Sequence, residues 1–219
     1  MKKRIIKLLI IVVIITLCVI IIKIFSGNTK KTIICIDAGH GGTDVGAESN
    51  GRYEKNDTLK VAKKVKEILE KEENIKVIMT RDEDKAVSLE QRCHIANKNK
   101  AKIFVSIHRN SAEKTANGIE IWLDKNKEKE DTELAENILN ELKKQEIQTD
   151  RGIKYGTIKG ENTNYYVLGN TNMPSCLVEL GFITNEKDNN LLDQNIENYA
   201  NAIASGILKK VKEWVKKIN

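Results

Sequence analysis

From residue 32 onward the hydrophobic positions fall into two patterns: short, nearly continuous apolar runs, and longer stretches with a helical repeat. The short runs are Thr32–Asp37, Ile75–Thr80, Ile103–Ile107, Gly118–Leu123, Tyr165–Leu168 and Cys176–Leu180. Runs of this length, rich in Ile and Val, predict strands with little solvent-facing surface. Between them lie helical patterns. Asp57–Glu72 carries Leu59, Val65, Ile68 and Leu69 near the helical period. Ser88 opens a helix reaching about Asn97, with Leu89, Cys93 and Ala96 on one face and Glu90 and Gln91 in the first turn. Asp131–Gln145 has the stripe Leu134, Ile138, Leu139 and Leu142, and a final helix from about Ile196 to Ile218 buries Tyr199, Ile203, Ile207, Val211, Trp214 and Ile218. Asp150–Gly160 reads as loop. Alternating strands and helices predict an α/β fold: a single domain with a mixed, largely parallel sheet flanked by helices on both sides. No internal repeat or second folded module is visible.

The first 31 residues change the picture. Ile5–Phe25 is apolar except for Lys7 and Lys23, which lie near its ends and can snorkel. As a helix it would measure about 30 Å, one hydrocarbon core, so the fold is expected to be preceded by an N-terminal transmembrane helix. Basic residues before it predict a cytoplasmic N-terminus and an exported remainder. The end of the run, IKIFSGN, lacks the small-x-small pattern of a signal-peptidase site, which favours a retained anchor. The expected organisation is thus residues 1–31 as cytoplasmic stub, anchor and linker, and 32–219 as the catalytic domain. The linker Ser26–Lys31 reaches only about 20 Å, so the domain would work close to the membrane.

The net charge of +6 does not point to nucleic acid, because residues 1–31 hold seven basic residues and no acid, leaving −1 for the rest. Cysteine usage argues against a disulfide set. With Cys18 in the apolar N-terminal run, Cys35, Cys93 and Cys176 remain, an odd number, and they read as buried thiols.

Candidate chemistry centres on Ile33–Gly46, IICIDAGHGGTDVG, where a strand runs into a glycine turn carrying His40. The carboxyl ends of strands are where active sites sit in open α/β sheets. The glycines are expected to keep the rim open. His108 follows the run IFVSI directly, so two histidines emerge at strand ends and can converge on a metal; His94 lies within a helix, off its apolar face, and reads as a surface residue. A catalytic zinc takes three protein ligands and leaves one position open, so a carboxylate is needed. Glu54, in GRYEKND, is the candidate, with a helix-capping acid as the competing reading. Glu179, inside CLVELGF, is costly to bury alone. It is either a general base beside a metal or an acid paired with Arg81, Arg92 or Arg109.

The chain resembles the zinc-dependent N-acetylmuramoyl-L-alanine amidases of the class called amidase type 3. The resemblance rests on IDAGHGGTDVGA, EKNDTL, TRDED, SLEQRCHIAN, VSIHRN, GIEIW and MPSCLVELGFITN, which follow the family order over most of residues 36–185. It implies one zinc ion bound by His40, Glu54 and His108, with Glu179 as the catalytic carboxylate. Asn110 and Arg109 are expected as substrate-binding residues and Asp37 as a supporting residue behind the metal. The implied reaction cleaves the amide between N-acetylmuramic acid and L-alanine in peptidoglycan. An anchor followed by a bare catalytic domain resembles the sporulation-associated amidases of the spore cortex. That would make the chain a single-pass membrane protein with its domain outside the cytoplasm, in the forespore intermembrane space, and with room for an activating or recruiting protein partner. One departure stands out: Gly169 occupies a position where the family commonly has arginine, which puts substrate positioning there in doubt. The competing readings are a silent wall-binding protein and another zinc wall hydrolase, a carboxypeptidase or deacetylase.

Overall fold

Thr32–Ala38 (β1) begins the ordered body, and its alternation decides the layering. Ile34, Ile36 and Ala38 are buried on one face while Cys35 is buried on the other, as in a strand covered on both sides. The computed structural model describes residues 11–18, 31–126, 128–160 and 162–218. Residues 11–18 form a helical segment (α1), which belongs to a unit separate from Thr32–Asn219. The remainder of the expected span Ile5–Phe25 and most of the linker lie outside the described residues. Among the described residues, no helix is long and apolar enough to cross a membrane.

After β1 come the short strands Glu48–Ser49 (β2) and Arg52–Tyr53 (β3), helix Glu54–Leu69 (α2), Ile75–Met79 (β4) and helix Leu89–Lys98 (α3). Then follow Ile103–Asn110 (β5), Ile119–Leu123 (β6), helix Lys129–Lys143 (α4), Asp150–Tyr155 (β7), helix Tyr166–Gly169 (α5), Ser175–Phe182 (β8) and helix Glu186–Ile218 (α6). The main sheet has the order β4-β1-β5-β8-β6-β7, and every pair is parallel except β6 with β8. The expected mixed, largely parallel sheet is therefore observed. One core lies between the sheet and α2, α4 and α6, with Val65, Ile138 and Ile203 fully buried. A smaller one lies on the opposite face, where Phe104 and Leu177 meet Cys93 and Ala96 of α3 and Val167 and Leu168 of α5. Cys35, Cys93 and Cys176 are free and buried, as read from the sequence.

Several boundaries differ from expectation. Helix α2 starts at Glu54, not Asp57, because Tyr53 is extended (φ −110°, ψ 131°) and the Glu54 N–H is already held by the Ala47 carbonyl at 2.9 Å. Tyr165–Leu168 is not a strand. Val167 and Leu168 both enter the smaller core, and adjacent residues can share a side in a helical turn but not in a strand. Asp150–Tyr155, expected as loop, is the edge strand β7; its half-exposed residues need no apolar face, so it leaves no hydrophobic signature. The last helix starts at Glu186 and breaks at Asn195 (φ −128°, ψ 23°). In α3, Ser88 caps as expected: its hydroxyl accepts from the Gln91 N–H and Gln91 Oε1 accepts from the Ser88 N–H. Leu89, however, is half exposed, and Arg92 takes the buried place beside Cys93 and Ala96.

Candidate metal centre

The sheet's register brings the chemistry together at the carboxyl ends of β1, β5 and β8. His108 on β5 stands opposite Glu179 on β8, and Glu120 on β6 stands opposite Glu179 on its other side. His40 follows β1, in the left-handed region at φ 60°, unusual for a side chain other than glycine or asparagine and a mark of a functional turn. Its backbone oxygen accepts from Arg92 Nη2 at 2.7 Å, and its Nδ1 sits 2.9 Å from Asp44 Oδ2. A carboxylate on one ring nitrogen fixes the imidazole's orientation and frees the other, Nε2, for the site.

Glu54 is the hub. It is 3% exposed, and as the first residue of α2 it points back toward both histidines. Its Oε1 lies 2.8 Å from His108 Nδ1 and accepts the Arg109 N–H at 2.9 Å. Its Oε2 lies 3.1 Å from His40 Nε2 and accepts the Ala47 N–H at 2.9 Å. Burial alone would raise its pKa, but His108, His40 and their charges outweigh that and hold the carboxyl well below the usual range. For His40 burial acts downward, and Glu54 and then Asp44 more than reverse it, so the imidazole is raised. The two rings are edge to face, centroids 4.9 Å apart, and one donor atom from each of His40, Glu54 and His108 lies within 4.8 Å of the others.

Two glycines make this closeness feasible. A Cβ on Gly39 would sit 2.4 Å from the His108 ring, and one on Gly46 (φ +70°) would sit 2.6 Å from the His40 ring and 2.7 Å from Glu54 Oε2. The glycine turn thus clears space inside the site, beneath the rings, where the sequence suggested an open rim.

Glu179 is 7% exposed, and its Oε2 is buried without a hydrogen-bond partner among the described residues. None of Arg81, Arg92 or Arg109 pairs with it; each is engaged elsewhere. Burial first, then the charges of Glu54 and Glu120, raise its pKa well above the ordinary carboxylate value, with Arg109 a partial offset. A buried carboxyl whose pKa is raised toward neutrality, beside a donor cluster, suits a group that takes up a proton and gives it back. Glu179, His40, Glu54 and His108 all line one cavity of about 610 Å³.

The remaining expected residues divide. Asp37 is 1% exposed and accepts from Arg92 Nη1, Thr80 Oγ1 and Ser106 Oγ, each at 2.6 Å. Through Arg92 it braces the His40 backbone. Asn110 lines the cavity, its Nδ2 donating to Glu120 Oε1 at 2.7 Å. Arg109 lines the cavity as well. Its guanidinium is buried and donates to Asp57 at 2.6 Å and Asn189 at 2.7 Å, while its N–H supports Glu54. Gly169 does not line the catalytic cavity but a second hollow, with Asp124 and Asp131. His94 is exposed on α3.

Sequence reasoning missed Asp44, Arg81 and Arg92 as supports. Arg81 is fully buried and donates to the carbonyls of Ala38, Gly39 and Lys55 at 2.8–2.9 Å, clamping the His40 loop to α2. The signal available for it was an arginine directly after a strand, in TRDED.

Two imidazole nitrogens and one carboxylate oxygen suit zinc better than calcium or magnesium, which favour all-oxygen sets. Glu179, whose buried Oε2 has no hydrogen-bond partner among the described residues, lines the same cavity.

A family model described as N-acetylmuramoyl-L-alanine amidase matches residues 34–209. A Staphylococcus epidermidis protein named "Probable cell wall amidase LytH" is 36% identical over 188 residues, covering 83% of this chain and 59% of that protein. The chain thus spans little more than half of that relative's length. An N-acetylmuramoyl-L-alanine amidase from Clostridium difficile 630 superposes with a TM-score of 0.77 at 34% identity, over 84% of this chain and 98% of that one. The CwlD amidase of Clostridioides difficile, solved in complex with the GerS lipoprotein, gives 0.74 at 29% identity, over 83% and 99%.

Proposed function

The chain belongs to the N-acetylmuramoyl-L-alanine amidase family, and from that premise we propose that it hydrolyses the amide joining the lactyl group of N-acetylmuramic acid to L-alanine, as a zinc enzyme. His40, Glu54 and His108 would hold one zinc ion. The observation that carries this reading is the partnerless buried oxygen of Glu179 beside the three-donor cluster.

Zinc bound there supplies Lewis acidity, lowering the pKa of water to about 7 and polarising a carbonyl. Glu179 takes one proton from the attacking water and returns it to the departing nitrogen. The water oxygen bonds to the lactyl carbonyl carbon as the C–N bond breaks, giving a free lactyl carboxyl group and a stem peptide with a new amino terminus. Asp44 keeps the His40 ring fixed while Glu54, held by two backbone N–H groups, stays ionised throughout.

The finer setting is part of the same proposal. The basic-flanked apolar stretch Ile5–Phe25 supports a membrane anchor with the domain outside the cytoplasm. The relative solved in complex with a lipoprotein supports a protein partner, and the spore-cortex role rests on the resemblance of an anchor plus bare catalytic domain to the sporulation-associated amidases.

Digestion of purified muropeptides tests the reaction. The expected products are L-alanine amino termini and unsubstituted muramic acid. Release of free D-alanine or of acetate would assign a carboxypeptidase or a deacetylase instead.

A further inference from the structure

Large apolar side chains left in water are few on the body that begins at Thr32. Among its described residues they are Leu89, Ile158, Tyr166 and Val215, the most open being Ile158 at 74%. Three of these four, all but Val215, line the catalytic cavity. Single exposed apolar residues are ordinary, but their concentration at one cavity mouth marks a binding surface.

These residues form one wall. Leu89 opens α3, while Tyr165 and Tyr166 open α5. The two helices are tied by Cys93 Sγ on the Val167 carbonyl at 4.0 Å and Asn97 Nδ2 on the Asn170 carbonyl at 3.0 Å. The Ile158 backbone lies near the Tyr165 hydroxyl, and the Tyr165 ring sits edge-on to Trp122 at 5.6 Å. Val87 fills in before Leu89. Other lining residues are polar, among them Asp44, Asn110 and Ser111.

The substrate proposed above has two arms of different chemistry, and this inference rests on that reading. A stem peptide presents backbone donors and acceptors at every residue, along with carboxylates and an amine. Burying these against an apolar wall would leave them unpaired. A saccharide ring presents a neutral C–H face and keeps its hydroxyls at the edge, where water can reach them. An uncharged wall of two aromatic and three aliphatic side chains complements that face. We propose that Val87, Leu89, Ile158, Tyr165 and Tyr166 form the glycan subsite, which holds the sugar rings flanking the scissile muramoyl residue and leaves the stem peptide to Asp44, Asn110 and Ser111.

The test is calorimetric titration of the full-length protein with a peptide-free GlcNAc–MurNAc tetrasaccharide and, separately, with a free stem tetrapeptide. Wild type, Ile158→Ser and Leu89→Ser are compared; both side chains are largely in solvent, and thermal melts check that the variants stay folded. The dissociation constant for the tetrasaccharide should rise about tenfold in each variant, and the ratio of glycan to peptide affinity should fall accordingly. An unchanged ratio, a selective loss of peptide affinity, or no tetrasaccharide binding by the wild type would overturn the assignment. The first of these would give the wall to another ligand, such as a protein partner. Failure of the amidase reading is separately visible, as wild type that binds the tetrasaccharide yet releases no L-alanine amino termini from intact muropeptides.

Discussion

At the scale of single residues, Gly39 shows how little slack the site has. Its Cα lies so close to the His108 ring that one added methyl would stand 2.4 Å from it, well inside van der Waals contact. Gly39→Ala must push His108 off the position from which it meets Glu54. We expect zinc affinity to fall about 10- to 100-fold, the range seen when a ligand's support is disturbed. Competition with a chelating dye measures this, and unchanged affinity would show that His108 is not a ligand. Glu54 and Glu179 make a complementary pair. Both are buried carboxylates, yet two imidazoles lower the pKa of one while burial and like charge raise that of the other. Environment, not residue type, divides their roles.

At the scale of elements, three pieces of chain far apart in sequence are joined by one buried ion pair. Asp37 at the end of β1 meets Arg92 of α3 at 2.6 Å and Ser106 of β5 at 2.6 Å. Burial alone would raise the Asp37 pKa; Arg92 and the hydroxyls of Ser106 and Thr80 outweigh it and hold the carboxyl below its ordinary value. The sign follows. As pH drops below about 4 the unfolded chain binds this proton first, so the contribution is whole above that pH and lost as pH falls through the lowered folded value. Asp37→Asn should cost about 3–5 kcal/mol at pH 7 by stranding Arg92, and should flatten the acid limb of stability against pH. Urea melts from pH 7 to pH 3 check both, and an acid limb as steep as the wild type's would refute the assignment. Arg92 also shows where sequence legibility ends. Cys93 and Ala96 reveal the buried face of α3 by their spacing, but nothing local shows that the arginine beside them is buried too, because its partners lie more than fifty residues away. Strands β1, β5 and β8, covered on both faces, were legible as apolar runs. The edge strand β7 and the single-turn helix α5 were not, since neither needs a periodic pattern to hold its place.

At the scale of the whole molecule, sheet order decides what the sequence can only suggest. His40, Glu54, His108 and Glu179 come from four separate segments, and each had a modest local signal: a glycine turn, a helix start, a strand end, an acid in an apolar run. What unites them is that β1, β5 and β8 are parallel neighbours, so their carboxyl ends open on one cavity. The supports that the sequence did not show, Arg81 and Asp44, act on the backbone of the His40 loop and on the orientation of its ring, so no pattern of residue types announces them. We propose this constellation as a zinc-dependent amidase centre in which Glu179 moves the proton. The most direct test compares wild type and Glu179→Gln for bound zinc and for release of L-alanine amino termini from purified muropeptides. The account predicts one zinc per chain in both proteins and a rate lowered about 10²- to 10⁴-fold in the variant. Near-normal turnover by Glu179→Gln with zinc in place would contradict it.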